Sequence, residues 1–171
     1  MNELAVNQQA RPVAGDALLH PLVLLAIAVL VVNDHWLKAA WPGPITGKLS
    51  DFAGLLFFPL FLQAMWEVGS ATVGRPSVGS RGLLLVVVVL AGALFSAVQL
   101  VPTATEAYEV GLGTLQWLAG LVPSALLGRP PQAGPVPVVL TPDPTDLVAL
   151  PMLLIAYRLG LRRSASAEGG A

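Results

Sequence analysis

Two short stretches carry chemically useful side chains in the same order, TGKLSDFAGL from Thr46 and TPDPTDLVAL from Thr141, 95 residues apart. In each, Thr is followed by three residues, a hydroxyl (Ser50 or Thr145), an Asp (Asp51 or Asp146) and an apolar run. A carboxylate in such a place can serve as a general base or a metal ligand. Lys38 and Lys48 can hold an anionic group, and Thr46, Thr141 and Asp143 add further polar atoms to the same candidate pocket. Three identities in ten positions leave both duplication and coincidence open.

The NDHWLK stretch adds His35, which with Asp51 and Asp146 would make a His-plus-two-carboxylate set for a divalent metal. A single His beside tryptophans is more often an interfacial residue than a ligand. Lys38 and Lys48 can equally pair with Asp34 and Asp51. Helix capping is the plainer account of the repeated pattern: Ser50 or Thr145 as the N-cap, with Asp in the first turn facing the positive end of the helix dipole. No cofactor signature is evident. GPITGKLS resembles a phosphate-binding loop only at Gly47 and Lys48, since Pro42 stands where its first Gly belongs and Leu49 separates the lysine from Ser50. No HExxH, GxSxG or glycine-rich dinucleotide fingerprint occurs. With no cysteine, disulfides, thiolate metal sites and thiol nucleophiles are excluded.

The elements that would position these residues follow from composition. Of 171 residues, 55% are hydrophobic and 11% charged, more apolar surface than a water-soluble fold of this length can hide. A net charge of -1, with scattered Lys and Arg, gives nucleic acid no basic face. A helix crosses a bilayer with about 20 mostly apolar residues, and four blocks approach that length, at about 17–38, 51–73, 82–102 and 145–161. The second is interrupted by Glu67, and the fourth contains Arg158, whose stem can snorkel. A cleaved leader is a poor reading of the first block, with acidic Glu3 and Asp16 before it and no small-residue cleavage site after it. Gln63 and Gln99 inside spans read as partners in hydrogen bonds between helices, and His20 with Pro21 as a kink.

Four spans with the amino terminus inside place Arg11, Arg75, Arg81, Arg158, Arg162 and Arg163 in the cytoplasm, and Lys38, Lys48 and Arg129 outside. A fifth span over 110–128 would reverse that bias. Leu112, Leu115, Leu118 and Val122 recur at helical spacing, so residues 106–122 are predicted to form an interfacial or re-entrant helix. The proline-rich stretch 123–144 is predicted to be an extended loop across the outer end. Trp36, Trp41, Tyr108 and Trp117 on one side, with Trp66 and Tyr157 on the other, fit two aromatic belts.

The expectation is therefore an all-α, four-span bundle over residues 16–161, with cytoplasmic tails at 1–15 and 162–171, in a plasma (inner) membrane. It carries a 2+2 parallel repeat if the motifs are duplicated. Function is expected at the outer face, as a binding or assembly component contacting a lipid or another membrane protein. The alternative is a small enzyme acting on a lipid or cell-envelope substrate through Asp51 or Asp146. An ion-coupled transporter ranks below both, because its ionisable groups belong near the midplane. A homo-oligomer is compatible with the sequence but not required by it.

Overall fold

The computed structural model describes residues 13–75, 79–130 and 132–168, the last five as backbone. The tail residues 1–12, with Glu3 and Arg11, and the ends 169–171 lie outside the described residues, as does Pro131 of the proline-rich stretch. Among those described there are helices and no strand. Four helices are long and apolar enough to cross a membrane. The chain divides into two compact units, Met1–Gly92 with Val148–Ala171, and Ala93–Leu147.

In the first unit a 3-10 turn, Asp16–Leu19, leads into α1, Pro21–Ala40. The helix begins at Pro21 and not near residue 17, because proline fits the first helical position, where its missing N–H has no partner to lose. His20 caps it, its Nδ1 accepting from Leu22 N–H, so the His-Pro pair starts the helix and makes no kink. After the turn Trp41–Gly43, α2 runs over Pro44–Thr72. It too starts at a proline, seven residues before Asp51, so Ser50 and Asp51 lie inside the helix and do not cap it. Thr46 steadies the turn instead, its Oγ1 lying 2.9 Å from Gly43 O and 3.2 Å from Trp41 O.

α3, Arg81–Leu100, continues from the first unit into the second, and α5, Pro151–Glu168, completes the first. Val23 and Ala26 of α1, Ala53, Leu56 and Leu60 of α2, Leu84 of α3 and Ala156 of α5 form one buried cluster. Small residues recur where helices meet, as close backbone approach requires. At Gly160 an added Cβ would stand 2.6 Å from Leu84 Cδ2. Leu84, Val87 and Ala91 keep α3's buried face, while Leu85, Val86, Val89 and Leu90 are exposed on the other. α1 and α2 are antiparallel across a short turn, and Arg163 of α5 meets Glu67 of α2, so α2 and α5 run the same way.

In the second unit α4, Pro102–Leu126, is a 25-residue helix, longer than the predicted 106–122. The segment 132–140 has neither helix nor strand, and it lies along α4. Val138 N–H donates to Glu109 O, Leu140 N–H to Glu109 Oε1, and Trp117 Nε1 to Gln132 O. Gly113 makes this possible: a Cβ there would come within 2.2 Å of Val136 O. The chain then enters a 3-10 turn, Pro144–Ala149. Its start is capped by Asp143, whose Oδ1 accepts from Thr145 N–H and Oγ1, so the capping residue is Asp143 and Thr145 is the capped one. The two motif copies thus differ in backbone: Thr46 is helical, whereas Thr141 lies outside any regular element.

Candidate functional site

Inside α1, the residues Asn33–Leu37 (NDHWL) form a π-helical turn, with Lys38 N–H reaching Asn33 O. Asn33, where that turn begins, continues the buried face of Val23 and Ala26 and has no exposure to solvent. Its Nδ2 donates to Thr46 O at 2.6 Å and to Ser50 Oγ at 2.7 Å. Ser50 Oγ in turn donates to Asp34 Oδ1 at 3.0 Å, and Asp34 Oδ1 pairs with Lys38 Nζ at 2.7 Å. A polar chain therefore runs from the buried interface of α1 and α2 out to an exposed ion pair. Asn33 Oδ1, buried, has no hydrogen-bond partner. Around this end Trp36, Trp41 and Ile45 stand exposed.

The residues singled out by sequence fall around this turn only in part. His35 is exposed, its Nδ1 2.9 Å from Val31 O and its ring tilted against Trp36. Lys38 makes the expected pair with Asp34. Lys48 and Asp51 lie half-buried on α2, and neither is unpartnered. Asp143 and Asp146 belong to the second unit. There Gln99, buried on α3, accepts from Asp143 N–H at 2.9 Å and approaches Asp146 Oδ2 at 3.3 Å. Gln99 thus holds a loop and does not bridge two helices. Thr141 is exposed. Among the described residues, His35, Asp51 and Asp146 included, no three or more His, Asp or Glu side chains are placed to hold a metal ion.

A second polar centre lies at the opposite end of α2. Glu67, with no exposure, accepts five hydrogen bonds: on Oε1 from Gln63 Nε2, Gly79 N–H and Arg163 Nη1, and on Oε2 from Gly15 N–H and Arg163 Nη2. The Arg163 contacts are 2.7 and 2.8 Å, a bidentate fork. Arg163 also bonds Asp16 through Nε and Val13 O through Nη2, and Asp16 accepts from Val13 N–H. Gln63 therefore works within its own helix, one turn from Glu67, and its Oε1 is left buried without a partner. Val13, Gly15 and Arg163, read as parts of the cytoplasmic tails, are fastened here. A carboxylate whose oxygens are this fully occupied is a structural clamp, with no lone pair held ready for a substrate proton.

No protein-family model, curated protein or solved structure matches this chain. The features that sequence reasoning missed were the burial of Asn33, the π turn and the Glu67–Arg163 pair. Glu67 was visible as the acidic break in the second span, and Arg163 as one of the cytoplasmic arginines of the carboxy-terminal tail. Charge placement put both at one end, but nothing in their spacing joined them.

Proposed function

We propose that this chain is a multi-pass protein of a bacterial-type plasma membrane, with both termini cytoplasmic, that binds or assembles with another membrane component through the outer polar end of its first two spans. The observation that carries the reading is the π turn at Asn33–Leu37, where a buried amide oxygen without a partner lies at the same end of the helix pair as exposed Trp36, Trp41 and Ile45. π turns are an energetically poor way to continue a helix, and they concentrate at functional sites. Trp36, Trp41 and Ile45 offer a partner apolar area beside the Asp34–Lys38 pair.

The membrane part of the reading is supported by the exposed Leu and Val side chains along α1, α3 and α5, whose natural solvent is lipid. Arg75, Arg81, Arg158, Arg162 and Arg163 fall at the Glu67 end, which makes that end cytoplasmic under the positive-inside rule. On α4, exposed Leu115, Leu118, Val122 and Leu126 form an apolar stripe suited to lying in the outer interface. The shared direction of α2 and α5 is compatible with a 2+2 parallel repeat.

The test is site-specific photocrosslinking in cells, with the reactive group at Trp36 or at Trp66. A discrete protein adduct from position 36, absent at 66 and lost on Asn33→Leu at unchanged protein level, is the expected result. Adducts to lipid alone from both positions would overturn the assembly role.

A further inference from the structure

At the Glu67 end, a cavity of about 420 Å³ opens between the start of α1, α2 and the end of α5. That volume lies within the usual range for small-ligand sites, roughly 300–1,000 Å³. Its lining is graded. Leu60, almost fully buried, and half-buried Leu159 form the apolar floor, whereas Leu19, His20 and Arg162 are exposed at the rim. Arg163 and Asp16 line it as well, engaged with Glu67, with Val13 and with each other, and exposed Arg162 is not unpartnered either. His20 Nδ1 accepts from Leu22 N–H, which puts the ring's proton on Nε2 and makes that atom a donor.

We propose that this cavity binds an anionic phospholipid of the inner leaflet, its phosphate held by Arg162 and His20 and its glycerol and upper acyl chain against Leu19, Leu60 and Leu159. Three observations converge on that ligand. The rim offers a guanidinium and an imidazole N–H, which suit a phosphate. The floor is apolar, and a free anion would gain nothing from it. The cavity also sits where α1 begins and the fourth candidate span ends at Arg163, the level at which headgroups lie. Basic pockets between helices on the cytoplasmic side are a recurrent way of holding such lipids. The proposal rests on the membrane reading above and is independent of the Asn33 surface. A protein that stays dispersed without detergent would overturn the membrane reading itself, whatever the cavity binds.

The experiment measures the melting temperature of the full chain in a neutral detergent with added phosphatidylglycerol, phosphatidylcholine or inorganic phosphate. At a hundredfold excess over Kd, phosphatidylglycerol is expected to raise Tm by about 5 °C, with no shift from inorganic phosphate and a smaller one from phosphatidylcholine. Arg162→Gln is expected to lose most of that shift, as is Leu159→Trp, which fills the cavity without touching a charge. Arg75→Gln, outside the cavity, keeps it. If a variant fails to fold, Leu19→Trp at the exposed rim takes its place. An undiminished shift in Arg162→Gln or in the cavity-filling variant would overturn the proposal, as would equal shifts from both lipids. A shift from inorganic phosphate equal to that from phosphatidylglycerol would reassign the cavity to a free anion.

Discussion

A carboxylate with no exposure to solvent is tolerable only when its lone pairs are occupied, and five donors satisfy that condition at Glu67. Removing one member of a buried pair strands the other, at a cost of about 3–5 kcal/mol. Arg163→Met is therefore expected to lower Tm by roughly 10 °C in a protein of this size, measured in detergent by intrinsic fluorescence. Adding Glu67→Leu to that variant should restore a large part of the loss, because no charge is then left buried without a partner. A double variant no more stable than Arg163→Met alone would assign the clamp's contribution to the Gly15 and Gly79 contacts. Of these residues, the sequence displayed Glu67 as an anomaly in an apolar block. Its partners lie 52 residues upstream at Gly15, 12 downstream at Gly79 and 96 downstream at Arg163, so only folding could name them.

Among the elements, the proline-bearing ends were the most legible in principle and the most misjudged in practice. α1 and α2 both begin at a proline, Pro21 and Pro44, yet the search for a polar cap moved the expected start of α2 to Ser50 and Asp51. At the second motif the acid that caps is Asp143, because its side chain can reach Thr145 N–H across Pro144. The proline-rich stretch, expected to be an extended loop over 123–144, is helical as far as Leu126 and has no regular structure over 135–143, and its place along α4 depends on the missing side chain at Gly113. Gly113→Ala would put a Cβ against the backbone of Val136, which cannot swing aside, whereas Gly160→Ala meets the buried side chain of Leu84 in the first unit. Overpacking of the first kind typically costs about 1–3 kcal/mol. Hydrogen exchange at Val138 and Leu140, whose amides bond Glu109, should accelerate in Gly113→Ala and stay unchanged in Gly160→Ala. Equal exchange in both variants would mean that the segment does not depend on close contact at Gly113.

For the molecule as a whole, the absence of cysteine makes topology directly measurable. Single cysteines at Trp41 and Arg129 are expected to react with an impermeant maleimide added to intact cells, and those at Arg75 and Arg158 only after the membrane is opened. Labelling of Arg75→Cys from outside would invert the orientation proposed here, and with it the leaflet assigned to the cavity.

Composition and block length by themselves determined that the chain is helical with four segments long enough to cross a bilayer, because apolar content on that scale has few other solutions. The tertiary structure alone decided which polar groups matter. Candidates chosen by type, such as Asp51, Asp146 and His35, were not gathered into a metal-binding group. Asn33, unremarked in the sequence, is buried against α2 and bonds Thr46 O and Ser50 there. Burial and pairing depend on which residues distant in the chain are brought together, and local spacing carries no record of that.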